Sequence, residues 1–158
     1  MIVADASIFA NAIGDDGAEG GAARSALRQD TDIAAPDLVD VETVSVLRRR
    51  WLAGDLATRR FDAAISDLGD LAIIRYPTLP FMRRAYELRA NVTPYDAAYV
   101  ALAEALGCAL LTADGRLASA PGPACETQVI RTQGHPPKGT HLRVPIQSHD
   151  VPNPEPRP

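Results

Sequence analysis

Thr93-Pro94-Tyr95-Asp96-Ala97-Ala98-Tyr99-Val100-Ala101-Leu102-Ala103, continued by Glu104 to Leu106, Gly107, and the apolar run Cys108-Ala109-Leu110-Leu111-Thr112-Ala113 before Asp114, is the stretch that decides the fold. Thr93 can cap a helix N-terminus, Pro94 suits its first turn, and Asp96 stands where an acidic side chain completes a capping box. Tyr95 to Leu106 reads as the helix, with Tyr99, Val100 and Ala103 continuing the face of Asp96 inward. Gly107 can take the left-handed position that ends it. Ala109 to Thr112 then reads as a short buried strand, with Asp114 at its carboxyl end.

The same alternation runs through the rest of the chain. Ile2 to Ala4 reads as a first strand and Ser7 to Ala12 as a helix start, with Ser7 a possible cap. Asp15-Asp16-Gly17 and Gly20-Gly21 punctuate a loop, and Ala22 to Gln29 is helical by composition. Thr31 to Ala35 is a short strand closed by Pro36. Val41, Val44, Leu47 and Trp51 recur at helical steps within Leu38 to Trp51. Leu56 to Leu68 is a further helix, Leu71 to Tyr76 a strand, Pro80 to Arg89 a helix and Gln128 to Arg131 a last strand. Short apolar strands alternating with helices imply βαβ units: an α/β fold with a central, mostly parallel sheet flanked by helices.

At 158 residues the chain is read as one domain over 1–131, long enough to bury a core, plus a Pro-rich, extended or flexible tail over 132–158. Seven of the thirteen prolines and all three histidines (His135, His141, His149) fall in that tail. Two cysteines make no disulfide framework and read as reduced. No apolar run approaches a membrane span and Met1-Ile2-Val3-Ala4 does not read as a leader, so a cytoplasmic location is expected. A net charge of −4 argues against general polyanion affinity. The cations are nevertheless almost all Arg, Lys138 being the only Lys, and Arg48-Arg49-Arg50, Arg59-Arg60 and Arg83-Arg84 form clusters on predicted helices. The planar guanidinium suits phosphate.

Four acids stand where structural elements change. Asp5 and Asp114 follow predicted parallel strands, at the edge where open α/β sheets bind ligands. Glu42 lies on a helix among Leu38, Val39, Ser45 and Val46, and Asp96 opens another helix. If the fold gathers them, they form an all-oxygen site for Mg²⁺ or Mn²⁺. Every histidine lies in the tail, which argues against a ribonuclease built on paired histidines. A receiver or dehalogenase-like phosphatase needs a lysine by the phosphoryl group, and Lys138 is in the tail.

In order, Asp5-Ala6-Ser7; Pro36-Asp37-Leu38-Val39-Asp40-Val41-Glu42 with Val46-Leu47-Arg48-Arg49; Thr93 to Ala103; and Leu111-Thr112-Ala113-Asp114-Gly115-Arg116-Leu117 resemble the four acidic segments of PIN-domain nucleases. The combination looks most like the VapC toxins of VapBC toxin–antitoxin pairs, and covers residues 1 to about 131. The resemblance implies a metal-dependent endoribonuclease, with Asp5, Glu42, Asp96 and Asp114 as the catalytic, metal-site acids. It implies Ser7 and Thr112 as hydroxyls that support those ligands. Water attack at such a site leaves 5′-phosphate and 3′-hydroxyl ends. The implied partners are an RNA substrate (transfer or ribosomal RNA), a VapB-type antitoxin and a second copy of the chain in a homodimer. A PIN fold with an inactive site, serving as a partner scaffold, is the alternative. Arg49 lies two helical turns from Glu42 on nearly the same face and is the candidate RNA contact; Arg48 and Arg50 are expected to be solvated.

Overall fold

The computed structural model describes residues 1–30 and 32–130. The tail over 132–158, with its three histidines and Lys138, lies outside the described residues. Five strands form one sheet: β1 (Ile2–Ala4), β2 (Ile33–Pro36), β3 (Ile73–Tyr76), β4 (Leu110–Thr112) and β5 (Thr127–Val129). Their order is β3-β2-β1-β4-β5 and every pairing is parallel. The helices are α1 (Ala6–Gly14), α2 (Ala18–Leu27), α3 (Val39–Leu52), α4 (Thr58–Asp70), α5 (Met82–Leu88), α6 (Pro94–Leu106) and α7 (Gly115–Ser119). A 3-10 turn, Leu79–Phe81, leads into α5.

Strand order sets the position of the site. From β1 the chain moves outward through β2 to β3, then returns across the sheet to place β4 on the other side of β1. The switch point therefore lies between the carboxyl ends of β1 and β4, the place where open parallel sheets form their binding crevice. β1 is central and wholly buried, so it carries no polar alternation. Val3 aligns with Ala34 on one side and Leu110 on the other.

Two apolar clusters hold the layers. The larger joins β1, β2 and β4 to α1 and α6, through Val3, Ile8, Phe9, Tyr99, Val100, Leu102 and Leu110. The smaller lies among α1, α3 and α4, through Ala10, Ile13, Leu47, Ala64 and Leu68. Helix α1 serves both, which explains why every residue of it except Ser7 is buried.

The expected elements appear, with shifted ends, and three local readings change. Ser7 is not the cap of α1: Asp5 is, its carboxylate accepting the N–H groups of Ser7 and Ile8. Gly20 and Gly21 lie inside α2 rather than in a loop. At Gly20 the backbone of α1's end approaches so closely that a Cβ would sit 1.7 Å from the Asp15 carbonyl oxygen, while Gly21 faces open space. Arg50 is not solvated; its guanidinium donates to the Ala10 carbonyl and to Asn11 Oδ1, tying α3 to α1.

The two glycines generate a paired expectation. Gly20→Ala forces α1 and α2 apart and should cost about 2–4 kcal/mol, as overpacking against backbone does. Gly21→Ala should be neutral or stabilise by about 0.5–1 kcal/mol through helix propensity. Urea denaturation of the two variants measures the contrast; equal effects would refute the close approach.

Candidate active site

Asp5 is the deepest of the four acids, 7% exposed at the end of β1. Burying a carboxylate is costly unless its oxygens find donors. One oxygen accepts the Ser7 and Ile8 amides at 3.0 and 3.2 Å and the Ser7 hydroxyl. The other accepts the hydroxyl of Thr112, at the end of β4. Those hydroxyls are bonded onward: Ser7 Oγ accepts the Ala113 amide at 3.0 Å, and Thr112 Oγ1 the Asp114 amide at 2.9 Å. Ser7 and Thr112 thus lace the ends of β1 and β4 together across the switch point. Even so, burial outweighs these bonds and holds the Asp5 carboxyl above its ordinary range.

Glu42 enters from the first turns of α3, half-buried. Tyr99 on α6, almost fully buried, donates its hydroxyl to Glu42 Oε2 at 2.7 Å. Burial raises the Glu42 carboxyl; the bond from Tyr99 opposes this, the charges of Asp96 and Asp5 add to it, and Arg49 opposes it. Glu42 is therefore within electrostatic reach of both Asp96 and Asp5. Arg49, exposed on α3, is within reach of Glu42.

Asp96 sits in the first turn of α6. Its amide donates to Thr93 Oγ1 at 3.2 Å, and the Thr93 hydroxyl donates to Asp96 Oδ2 at 2.7 Å. Thr93 caps the helix as its sequence indicates, but Asp96 takes the Thr93 hydroxyl rather than its backbone N–H. Asp96 and Asp114 line one cleft with Asn91, Thr93 and Arg116. Asp114 caps α7 through the Arg116 amide and pairs with the Arg116 guanidinium, which holds its carboxyl below the ordinary range.

The sequence places Tyr99 on the inward face of its helix and Arg116 in the fourth acidic segment, but assigns neither of them a partner among the acids. The signal for Tyr99 was its position three residues after Asp96, on the same helix face. Arg116 stands two residues after Asp114, which its side chain turns back to meet.

An ion implied by this chemistry can be tested against the residues. Among the described residues no three Asp, Glu, His or Cys side chains are arranged to hold a metal as they stand. Yet the donors are all oxygen, as Mg²⁺ or Mn²⁺ requires, and at Glu42 the charges of Asp96 and Asp5 add to the upward push of burial. The residues suit a hard divalent ion in kind.

A model of the PIN domain matches residues 2–123. The chain belongs to the PIN-domain family. Its relatives are VapC proteins. It is 41% identical over 130 residues to Ribonuclease VapC1 of Mycobacterium tuberculosis, covering 82% of this chain and 97% of that one. Ribonuclease VapC9 of the same species is likewise 41% identical over 130 residues, covering 82% and 98%. The crystal structure of Mycobacterium tuberculosis VapC20, described as a sarcin-ricin loop cleaving toxin, superposes with a TM-score of 0.60 at 19% identity over 75% of this chain and 94% of that one. That structure carries the fold: the five-stranded parallel sheet is a PIN sheet.

The raised Asp5 value sets a pH dependence. A proton held more tightly in the folded than in the unfolded state stabilises the fold at acid pH, and this contribution is lost as pH rises through the folded value. Asp5→Asn removes that loss and keeps an acceptor for the Ser7 and Ile8 amides. In EDTA, the variant should melt above the wild type by about 2–5 °C at pH 8. The gap should close as pH falls toward about 4, the unfolded carboxylate value. The Arg116–Asp114 and Arg84–Glu104 pairs weaken in acid, but in both proteins alike, so they cancel in the difference. Thermal melts from pH 4.5 to 8 decide it; a pH-independent gap would contradict the burial argument.

Proposed function

We propose that this protein is a metal-dependent endoribonuclease, the toxin of a type II toxin–antitoxin pair, which hydrolyses RNA phosphodiester bonds at the edge bearing Asp5, Glu42, Asp96 and Asp114. The observation that supports this reading is a PIN sheet with Asp5 and Asp114 following the two strands that flank its switch point, in a chain 41% identical to proteins named as VapC ribonucleases.

The four carboxylates would hold Mg²⁺, with Mn²⁺ as a substitute. When bound, such an ion neutralises charge on phosphoryl oxygens and makes water acidic enough to act as a nucleophile at neutral pH. The chain's own residues set the conditions for that chemistry. Ser7 and Thr112 fix the Asp5 carboxylate, so one ligand is oriented before any ion arrives. Tyr99 holds the Glu42 carboxylate through its hydroxyl. Arg49, outside the acids and within reach of Glu42, receives a backbone phosphate. Structured RNA, transfer or ribosomal, is the substrate class.

A VapB-type antitoxin is the proposed partner, silencing the site by presenting an Arg to the carboxylates. A homodimer and a cytoplasmic location complete the reading. No helix among the described residues is long and apolar enough to cross a membrane.

Purified protein with Mg²⁺ or Mn²⁺ should cut RNA to 5′-phosphate and 3′-hydroxyl ends, and EDTA should stop it. Asp96→Asn should lower the rate by roughly 100-fold or more without unfolding, since even outer-shell partners of metal sites cost 10–100-fold. Full activity in that variant would reduce Asp96 to a helix cap. A folded wild type that binds an antitoxin but cuts no RNA with any divalent ion would favour the inactive scaffold.

Arg49→Ala should weaken RNA binding and flatten its logarithmic salt dependence by about 0.7, the counterion release of one single-strand phosphate contact. Arg50→Ala should leave the slope unchanged and lower thermal stability, because it breaks the α3–α1 contact. Equal slopes for the two variants would remove Arg49 from the phosphate path.

A further inference from the structure

Asp114 differs from the other three acids in already having a cation on it. Arg116 Nε lies 3.1 and 3.2 Å from its two oxygens, and Arg116 Nη2 lies 2.7 Å from Oδ2. The guanidinium therefore covers both oxygens of the carboxylate. The arrangement is local, spanning two residues, and the Arg116 side chain is 92% exposed while that of Asp114 is 37% exposed. Among the described residues Arg116 makes no other side-chain hydrogen bond, so nothing holds it in place except Asp114. An exposed pair of this kind contributes little to stability and exchanges readily. The pair lines the cleft that also holds Asp96, whose charge reaches Arg116.

We propose that Arg116 is a built-in counter-cation of the site: it occupies Asp114 in the metal-free protein, gives way to the divalent ion, and then binds an RNA phosphate at the rim of the cleft. The inference rests on reading Asp114 as a metal-site acid. A guanidinium covering both carboxylate oxygens competes directly with an ion for the same lone pairs. Once released, its planar fork presents two parallel N–H donors, the geometry that phosphate accepts. Arg116 thus opposes one binding event and assists the next. A purely structural Asp–Arg pair would do neither.

The test measures the two events separately. Titration calorimetry gives the Mn²⁺ affinity of the wild type, Arg116→Ala, Arg116→Lys, Asp114→Asn and the Asp114→Asn/Arg116→Ala double variant, all without RNA. Fluorescence anisotropy gives the salt dependence of binding to a single-stranded oligoribonucleotide in Ca²⁺, with strand integrity checked on a gel. Arg116→Ala should bind Mn²⁺ about two- to fivefold more tightly, the span that an exposed ion pair allows. The Asp114→Asn background should abolish that gain, because competition needs the carboxylate. The RNA salt slope should fall by about 0.7 in Arg116→Ala and persist in Arg116→Lys, which keeps the charge.

If Arg116→Ala binds Mn²⁺ as the wild type does, the counter-cation role is overturned and the nuclease reading stands. If the gain survives in Asp114→Asn, the effect is a distant field and direct competition is overturned. An unchanged RNA slope overturns the phosphate contact. A wild type that binds no Mn²⁺ overturns this inference together with the metal-site reading, and the calorimetry alone distinguishes that case.

Discussion

The Asp5 carboxylate is the interaction on which the arrangement depends. It ends the central strand, caps α1, and accepts the hydroxyl of Thr112 from the neighbouring strand β4. Those roles bind together the two strands between which the sheet changes direction. The same bonds account for only part of the cost of burying the charge, so the carboxyl remains above its ordinary range. A group required for the architecture is thereby left short of positive charge. This combination is how a structural cap could also serve as a ligand in the proposed metal site.

The other acids differ in how fully local partners satisfy them. Glu42 has one neutral donor, Tyr99, and feels two like charges. Asp96 shares a hydroxyl with its own helix cap. Asp114 has a bidentate Arg. The edge therefore runs from a buried, fixed carboxylate to an exposed one whose partner is easily exchanged. In the proposed metal site, rigidity at one end would orient an incoming ion and lability at the other would leave room for it.

Much of this was legible in the sequence because strong local signals agree with the tertiary structure. The Thr93-Pro94 start and Gly107 stop of α6 are local chemistry, and Gly107 does adopt positive φ. The buried strands read correctly because parallel strands covered on both faces are short unbroken apolar runs. What misled were residues whose role is set by distant parts of the chain. Gly20-Gly21 looks like a loop, yet Gly20 is there because α1 passes too close for a side chain. Arg50, like Arg48, looks like a solvated cation, yet it reaches α1, 39 residues away. Ser7 looks like a cap, but its hydroxyl serves the Asp5 carboxylate and the Ala113 amide instead. Helix α7 is one short turn beyond an Asp-Gly pair, where a plain turn is the simpler reading. The positions of Asp5, Asp96 and Asp114 at element ends could be read from the sequence; the partners that Glu42 and Asp114 find in Tyr99 and Arg116 could not be read without knowing how α6 faces α3 and how α7 turns.

The bond from Thr112 to Asp5 joins residues 107 apart, which has a consequence for the order of events during synthesis. Parallel pairing is non-local by nature, and its closure entropy must be met before the contact forms. A growing chain can assemble β1, β2, β3 and the helices between them while β4 is still unmade. In that state Asp5 has its helix amides but lacks the hydroxyl across the switch point, and Asp114 does not exist. At about 5–20 residues per second, the interval between the first acid and the last is on the order of 5–20 s. The chain therefore spends most of its synthesis without the edge at which RNA cleavage is proposed, and acquires that edge late.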